Sequence, residues 1–577
     1  MTQHVRRSQF VTTWGPGAIL EGQEGPRLIL RADIGLFRSG SHLKPEDYEI
    51  HNRRVTYVLG GRSRVFRLPS NAELGEPPSR YLYLTRPFPV WSQCPDHETL
   101  YRTDRKCPSC ENKELTNKRA SRFVVACLNG HLDDVDWDRV VKHKKECHPG
   151  EWYHWRGEGG PLSQIEIVCP KCNGKANLGW AYSKNWRCSG RFPEQEGPLI
   201  HRTSNRCDAD ARFMQRQATN LRIPEVRSLF TIPPAYTQLH NLLQIASVNV
   251  ALSVRPPTSI TELRSTLDTL VEKGHLADSC RKEILNHELE EIQRALADLE
   301  SPEAMEIGEA YDKEFRALVD ASIHGVPPFT QSPPQSRVLF EVKPSAIVGN
   351  IKGPYGHTFR VVPVSRLNVV IVQVGYRRQP IPDIESGPKS TLVDCSFTSP
   401  EGDKWYPGAE LMGEGLFIMP DNDRAELLLK GNAWRDWNSA YPAGTGKKTA
   451  PFVWWHTLSH LLLKVLAVDS GYSAASIRER VYVSGATSGG VILYSVQPGA
   501  DGTLGGLISL AGSFDRLLDH VTELAETCSN DPLCSERTIL PGGHSGAACY
   551  ACLLASETSC EDRNMWLDRN VLLADPP

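Results

Sequence analysis

The first 90 residues alternate apolar and polar positions in short runs that glycine and proline separate. These runs are RLILRADIGLF, RRVTYVLG, SRVFRLP and RYLYLT. Alternation with a period of two residues is typical of strands that bury one face. The pattern predicts a small β-rich domain over residues 1–90.

Helical spacing replaces alternation in a later part of the chain. The segments ITELRSTLDTLVEKG and CRKEILNHELEEIQRALADLE carry apolar residues every three or four positions on a charged background. Gly274 and the pair Ser301-Pro302 are natural stop signals. We therefore predict a helical region over residues 216–328, folded as a hairpin or arm that either packs on the body or offers a surface to a partner.

Short β-branched runs and helical patterns mix over residues 329–527. The runs LNVVIVQVGY, RVYVSG and VILYSV are typical of buried strands. Helices are predicted at WWHTLSHLLLKVLAV, SAASIRERV and FDRLLDHVTELAETC. This region is predicted to be an α/β domain, followed over residues 528–577 by a cysteine module that ends in the helix CEDRNMWLDRNVLL. The fold class is mixed α/β, in several domains.

Composition and charge narrow the class of protein. A chain of 577 residues predicts about three to five domains. The net charge of -3 argues against coating of nucleic acid by bulk charge. No apolar run approaches the roughly 20 residues that span a bilayer, and the first 20 residues are not predicted to form a signal peptide. We therefore expect a soluble cytoplasmic protein, in which clustered cysteines bind metal rather than form disulfides.

Nine of the 16 cysteines lie in residues 91–215, which predicts a zinc-ribbon region with two zinc sites. Two ligands separated by two residues form a tight knuckle that supplies two corners of a tetrahedral zinc site. The first predicted site joins two such knuckles: Cys94, His97, Cys107 and Cys110. If His97 is only a surface histidine, Cys127 or His131 is the substitute fourth ligand.

The second predicted site contains one clear knuckle and two scattered cysteines: Cys169, Cys172, Cys188 and Cys207. Either of the scattered residues has the alternative of being an ordinary buried thiol. The residues left over in this region could form a further site: Cys127, His131, Cys147 and His148.

Five cysteines compete for four places in the C-terminal module. The predicted ligands are Cys534, Cys549, Cys552 and Cys560. Cys528 ends a predicted helix and is left as a core or surface thiol, and Cys280 and Cys395 stand alone. The chain is thus predicted to bind about three Zn²⁺ ions.

Motifs for catalysis are sparse. His456 and His460 share one face of a helix at the spacing found in zinc proteases, but Thr457 stands where those enzymes place a glutamate base. We therefore predict that the two histidines belong to a core or an interface. The sequence has no GxxxxGK[ST] phosphate loop and no convincing GxSxG elbow. The alternative is a nuclease or hydrolase within residues 329–512, built on His456, His460, Arg478 and Glu479.

A modest basic excess accompanies the first cysteine clusters. Residues 102–145 contain 11 Lys or Arg against 7 Asp or Glu, and the aromatic run EWYHW follows. Such a zinc ribbon can bind a nucleic-acid backbone and stack bases, although a solvated charged surface gives the same pattern.

Several long segments resemble the DrmB family of the DISARM anti-phage defence system. They are RRSQFVTTWGPGAIL, FVVACLNGHLDDVDW, WHTLSHLLLKVLAVDSGYSAASIRER and GAACYACLLASETSCEDRNMWLDRNVLL. Together they range from residue 6 to about residue 572, so the resemblance extends over most of the chain.

This resemblance implies a non-catalytic subunit that pairs with a superfamily 2 helicase, DrmA, as a heterodimer. The helicase would carry the ATPase site, and the pair would engage foreign DNA. The resemblance also implies that the family's C-terminal zinc ligands correspond to Cys534, Cys549, Cys552 and Cys560. The knuckles at Cys94, Cys107 and Cys169 fit as well, and His97 is a departure if the family has cysteine there.

Overall fold

The structure is a computed structural model, and its fold is mixed α/β with several sheets, which confirms the predicted fold class. The residues that it describes are 5–37, 43–50, 52–61, 63–77, 82–94, 96–110, 119–147, 150–157, 160–197, 202–232, 238–243, 245–300, 305–330, 338–353, 356–378, 390–399, 402–427, 432–440, 449–497, 505–537, 545–556 and 558–573. Within these ranges, no helix combines the length and apolarity needed to cross a membrane.

Short strands dominate the part of the chain before residue 231. The strands are β1 (Ile19–Gly22), β2 (Gly25–Ile29), β3 (Arg64–Arg67), β4 (Thr85–Pro87), β5 (Trp91–Cys94), β6 (Thr99–Arg102), β7 (Phe123–Cys127), β8 (Leu132–Asp134), β9 (Trp152–Arg156), β10 (Glu166–Val168), β11 (Lys175–Asn177), β12 (Trp186–Arg187), β13 (Asp210–Gln215) and β14 (Ile223–Phe230). The helices are α1 (Arg7–Val11), α2 (Ala32–Leu36), α3 (Arg53–Val58), α4 (Trp137–Val140) and α5 (Leu178–Ser183).

Longer elements follow. The helices are α6 (Gln238–Leu243), α7 (Ala246–Val254), α8 (Ile260–Glu272), α9 (Asp278–Ile284), α10 (Leu289–Glu300), α11 (Ile307–His324), α12 (Asn432–Ala440), α13 (Ala450–Ser470), α14 (Phe514–Glu526) and α15 (Arg569–Leu572). The strands are β15 (Val326–Thr330), β16 (Val338–Val342), β17 (Val348–Lys352), β18 (Thr358–Arg377), β19 (Val393–Asp394), β20 (Phe397–Thr398), β21 (Lys404–Pro420), β22 (Ile477–Ser484) and β23 (Ser488–Gln497).

The chain forms two compact units, each assembled from segments that are not consecutive. The first unit contains Met1–Ile50, Ser63–Arg227 and Ile371–Ala409. The second unit contains His51–Arg62, Ser228–Val370 and Glu410–Pro577. The five domains predicted from the sequence stay a prediction.

The first unit contains three small antiparallel sheets. Their strand orders are β1-β2-β4, β11-β10-β9-β6-β5 and β12-β13-β7-β8. Aromatic side chains form much of one core, with Trp137 and Tyr153 almost fully buried. Strands of two to six residues bury little apolar surface, so cross-links such as metal ions are expected to supply part of the stability of such a unit.

The long helix α13 is the centre of the second unit. Most of its length is buried on all sides, and Trp454, Trp455 and Leu458 belong to the largest core. Pro451 lies in its first turn, and Gly471 ends it in the left-handed conformation, at φ 73°. In the same unit, β23 pairs with β22 along its length and with residues 412–418 of β21.

Several predicted elements are confirmed. The helices α8, α13 and α14 and the strands β18, β22 and β23 lie where the apolar patterns predict them. The second helical segment of the arm is divided into α9 and α10. In the second unit α6 to α10 pack around a core of their own, to which Leu252, Leu263 and Ile292 contribute.

Several predicted elements are wrong. Residues 32–36 of the run RLILRADIGLF form α2 rather than a strand. RRVTYVLG forms α3 rather than a strand, because the Asn52 side chain accepts a hydrogen bond from the Val55 N–H and caps the helix. SAASIRERV becomes a short 3₁₀ turn and then β22, because pairing with β23 outweighs its helical pattern. The terminal helix is reduced to α15, because the backbone before it adopts positive φ angles at Arg563, Asn564 and Trp566.

Candidate metal centre

Five groups of Cys, His and Glu ligands lie among the described residues. In each group the candidate ligand atoms all lie within 4.8 Å of one another. Three groups belong to the first unit and two to the second. All 16 cysteines are free thiols. No disulfide therefore competes with metal for the sulfur atoms.

The first group contains the residues predicted for the first site: Cys94, His97, Cys107 and Cys110. Cys94 ends β5 and His97 lies in the turn before β6. The His97 Nδ1 lies 3.4 Å from the Cys94 Sγ and 3.3 Å from the Cys110 Sγ. Ligand atoms in a tetrahedral zinc site lie about 3.3 to 3.8 Å apart, because Zn–N bonds are about 2.1 Å and Zn–S bonds about 2.3 Å. The group fits a Cys₃His zinc site.

The second group contains Cys127, His131, Cys188 and Cys207. The Cys127 Sγ lies 3.3 Å from the His131 Nδ1. The strand β13 pairs with β12 on one side and with β7 on the other, where Ala211 of β13 lies opposite Cys127 of β7. The sheet therefore brings distant parts of the chain together. The loops beside these strands carry the other two cysteines.

The third group contains His143, Cys147, Cys169 and Cys172. The Cys147 Sγ lies 3.8 Å from the Cys169 Sγ, and the Cys172 Sγ lies 3.5 Å from the His143 Nδ1. Cys169 follows β10 directly, and its knuckle turns back so that the Cys169 N–H donates to the Gly174 carbonyl at 2.8 Å. This group also has the Cys₃His composition.

The structure corrects the predicted grouping of Cys169, Cys172, Cys188 and Cys207 as one site. Cys169 and Cys172 lie with His143 and Cys147. Cys188 and Cys207 lie with Cys127 and His131. The leftover residues of the sequence are thus distributed over two sites rather than gathered in one. His143 was not predicted as a ligand, although its spacing from Cys147 is a signal for one. His148 lies outside the described residues.

The fourth group consists of Cys528, Cys534, Cys549 and Cys552 in the second unit. The Cys528 Sγ lies 3.5 Å from the Cys549 Sγ, and the Cys534 and Cys552 Sγ atoms are 3.7 Å apart. These distances are those of a Cys₄ zinc site. The choice of Cys560 over Cys528 is corrected, because the turn after α14 brings Cys528 to the knuckle while Cys560 lies in another group.

Each of these four groups contains one thiol that is predisposed to ionise. Burial opposes ionisation of Cys94, but the Asp96 N–H and His97 outweigh it and lower the pKa of Cys94 to about 7. Hydrogen bonding from the Cys188 thiol, and to a smaller extent from His131, lowers the pKa of Cys127 to about 4, although burial acts in the opposite direction. The thiolate is the form that binds a metal ion.

The same holds for the other two groups. The Lys144 N–H lowers the pKa of Cys172 to about 6. Burial raises the pKa of Cys549, but hydrogen bonds from the Cys552 N–H and the Asn530 side chain outweigh it and lower this pKa to about 6. In all four groups, backbone and side-chain donors therefore favour one thiolate before a metal ion binds.

The fifth group contains His456, His460, Glu479 and Cys560, and all four residues are buried. The two histidines lie one turn apart on α13, and Glu479 lies on β22. Burial disfavours a charge on Glu479, but His456 and His460 outweigh it and hold the pKa of that carboxyl well below its usual range. The histidines are thus core residues, as predicted, but they contact a carboxylate and a thiol.

The remaining candidates do not join a group among the described residues. Cys395 is buried, and burial is the main reason that its pKa is raised to about 12. Cys280 packs beside the core of α6 to α10. Arg478 lies on the same strand as Glu479, and an arginine side chain is not a metal ligand.

Comparison with known protein families supports zinc binding by this chain. Residues 6–223 match a domain of unknown function, DUF8724, and residues 458–553 match the MrfA Zn-binding domain. The second match contains the whole Cys₄ group. The count of about three zinc ions is not confirmed, since four Cys-rich groups and the His456 group are candidates.

The chain is also similar to the DISARM protein DrmB of Bacillus paralicheniformis (strain ATCC 9945a / NCIMB 11709 / CD-2). The two are 29% identical over 504 residues, which cover 81% of this chain and 82% of that protein. The resemblance to DrmB is thereby confirmed. The crystal structure of the DUF1998 helicase MrfA bound to DNA matches 41% of this chain and 25% of that chain, with 11% identity and a TM-score of 0.20.

Proposed function

We propose that this chain is a non-catalytic, zinc-stabilised accessory subunit of a DISARM anti-phage defence system. It binds a superfamily 2 helicase of the DrmA type and helps that helicase to engage foreign DNA. The observation that carries this proposal is the similarity to DrmB, which extends over 81% of the chain and 82% of that protein.

The zinc groups suit an accessory role. The Cys-rich groups have four protein ligands each, and a zinc ion with four protein ligands has no open position for substrate. Such closed sites stabilise small domains and hold their loops in fixed positions. Three of them lie in the first unit, whose sheets are small. We infer that zinc keeps the loops of this unit rigid enough to present a binding surface.

One such surface has the chemistry of a nucleic-acid contact. Trp180 lies on α5 and is 38% exposed. The Lys142 Nζ lies 5.1 Å and the Lys184 Nζ 6.0 Å from the centre of a Trp180 ring. An exposed aromatic ring can stack on a base while neighbouring ammonium groups bind phosphates. Lys142 immediately precedes His143 of the third group, so zinc would hold this surface in place.

The alternative function, a nuclease or hydrolase, has weaker support. Its candidate residues His456, His460 and Glu479 are each at most 2% exposed, so they offer substrate no approach in this conformation. A catalytic zinc site also keeps one position open, whereas here Cys560 lies beside the other three residues. Because the sequence has no GxxxxGK[ST] phosphate loop, we assign the ATPase activity to the helicase partner.

The test is to co-express the full chain with a DrmA-type helicase and to purify through a tag on this chain. We expect the two proteins to co-elute, and we expect the chain to change the DNA-stimulated ATPase rate or the DNA affinity of the helicase. The matched comparison is the helicase alone at the same concentration. Absence of co-elution would contradict the proposal. Cleavage of labelled DNA by the isolated chain, abolished in His460→Ala, would favour the alternative.

A further inference from the structure

We propose that His456, His460, Glu479 and Cys560 bind a further structural zinc ion in the interior of the second unit. This site is separate from the Cys₄ group of the same unit. Two of its ligands, His456 and Cys560, lie outside the segment that matches the MrfA Zn-binding domain. The inference does not depend on the proposed function.

The orientation of the two imidazole rings is the first argument. The His460 Nδ1 lies 2.8 Å from the Leu553 carbonyl oxygen, and the His456 Nδ1 lies 3.3 Å from the Trp566 carbonyl oxygen. A carbonyl oxygen only accepts, so each Nδ1 must carry the proton and donate it. In the neutral form each Nε2 then presents a lone pair, which is the usual arrangement of a zinc-binding histidine.

The two Nε2 atoms converge on one point. They are 3.1 Å apart, and they lie 2.8 Å (His456) and 3.1 Å (His460) from the Glu479 Oε1. Without a cation, a single proton can serve only one of the two nitrogens, and the other directs its lone pair at the carboxylate. A zinc ion would satisfy all three atoms once they move apart by a few tenths of an ångström.

The carboxylate and the sulfur also have the surroundings of metal ligands. The Ser459 hydroxyl donates a hydrogen bond to the Glu479 Oε2, which leaves Oε1 for the metal. The Cys560 Sγ lies 3.2 Å from the His456 Nε2 and accepts from the Asn564 N–H at 3.3 Å. Backbone N–H donors reach the sulfur of Cys172, Cys188 and Cys528 in the other groups at 3.3 to 3.4 Å.

The charge of the complex suits a buried position. A Zn²⁺ ion with one carboxylate, one thiolate and two neutral imidazoles has no net charge. Burial of a neutral complex avoids most of the cost of placing an unpaired charge in the core. Two nitrogen ligands, one oxygen ligand and one sulfur ligand at tetrahedral spacing favour Zn²⁺ over Mg²⁺ or Ca²⁺, which prefer oxygen ligands.

The site explains the unusual backbone after Cys560. Arg563, Asn564 and Trp566 adopt positive φ angles of 55°, 59° and 65°, which non-glycine residues seldom adopt. This conformation directs the Asn564 N–H at the Cys560 sulfur and the Trp566 carbonyl at His456. The ion would tie this segment to α13 and β22, and we infer that it fixes the C-terminal segment on the core.

The first experiment is anomalous diffraction at the zinc edge from crystals of the wild-type full chain. We expect a peak between the four ligand atoms, in addition to one peak in each of the four Cys-rich groups. Peaks in those groups with none at His456 would overturn the proposal. A peak there that belongs to a different metal would overturn the zinc assignment.

The second experiment counts zinc per purified chain by mass spectrometry in His460→Asn and Cys560→Ser. We expect each variant to hold about one ion fewer than the wild type. The control is His357→Asn, since His357 is a partly buried histidine of the same unit that packs against Trp454 at 5.9 Å and belongs to no ligand group. It should hold the wild-type number. An unchanged count in both variants would overturn the proposal, and the wild-type crystals decide if the variants fail to fold.

Discussion

Cys560 and His456 are 104 residues apart in the chain, yet the Cys560 Sγ lies 3.2 Å from the His456 Nε2. The next residue, Glu561, forms an ion pair with Arg480 at 2.9 Å, and Arg480 directly follows Glu479 on β22. Successive residues of a strand point to opposite faces. Two neighbouring residues of the C-terminal segment therefore meet two neighbouring residues of β22, and both faces of the strand are fixed.

The buried ion pair between Arg480 on β22 and Glu314 on α11 should contribute strongly to the stability of the protein. The Arg480 Nη1 lies 2.7 Å from the Glu314 Oε2, and both side chains are completely buried. Arg480→Met would remove the ion-pair partner of the Glu314 carboxylate, and of Glu561 as well, so we expect the free energy of unfolding to fall by about 3 to 5 kcal/mol. Urea denaturation followed by circular dichroism measures this change.

The control for that prediction is Lys313→Met on the same helix as Glu314. The Lys313 Nζ lies 3.0 Å from a Glu309 oxygen, but this pair is about half exposed. An exposed pair of this kind contributes less than about 1 kcal/mol. Equal losses in Arg480→Met and Lys313→Met would show that burial does not decide the strength of the Arg480 pair.

The proximity of two residues in a knuckle can be predicted from the sequence, because a knuckle is local. The spacing of Cys94 from His97, or of Cys549 from Cys552, fixes two ligands within one turn. The same reasoning predicts α13, whose apolar residues continue over several turns. Such features need no knowledge of distant parts of the chain.

The pairing of knuckles is not local and was predicted only in part. Cys188 meets Cys127 because β13 pairs with β12 on one side and with β7 on the other, and no spacing in the sequence contains that information. Glu479 likewise reaches His456 only after β22 has packed against α13. This contact could not be predicted, because Ser473–Val481 was predicted as a helix, whereas Glu479 lies on the strand β22.

Zinc counts of double variants should distinguish the observed grouping from the predicted one. Cys169→Ser with Cys172→Ser removes two ligands from one group, so we expect the loss of about one zinc ion per chain. Cys169→Ser with Cys188→Ser removes one ligand from each of two groups, and about two ions should be lost. Loss of a single ion in both double variants would mean that these cysteines share one site. Mass spectrometry of the purified chains gives the counts.

Loss of the Cys₄ site should affect the whole second unit. Cys549→Ser removes a ligand whose pKa is lowered to about 6, and we expect about one zinc ion fewer with a lower yield or weaker helicase binding. The reason is that a structural zinc site supplies on the order of 10 kcal/mol to folding. Cys280→Ser is the control, since Cys280 belongs to no ligand group of the described residues. Wild-type yield, zinc content and binding in Cys549→Ser would contradict this prediction.

Trp180→Ala should weaken DNA binding by the complex with the helicase. Stacking of one base on an aromatic ring contributes about 1 to 3 kcal/mol, which corresponds to a rise in Kd of roughly 5- to 150-fold. Trp180→Phe keeps an aromatic face beside Lys142 and Lys184, so it should retain most of the affinity. Fluorescence anisotropy with labelled single-stranded DNA measures the Kd, and an unchanged zinc count shows that the neighbouring zinc group is intact. If Trp180→Ala then binds DNA as tightly as the wild type, this surface does not contact DNA, and the basic excess around it is a solvated face.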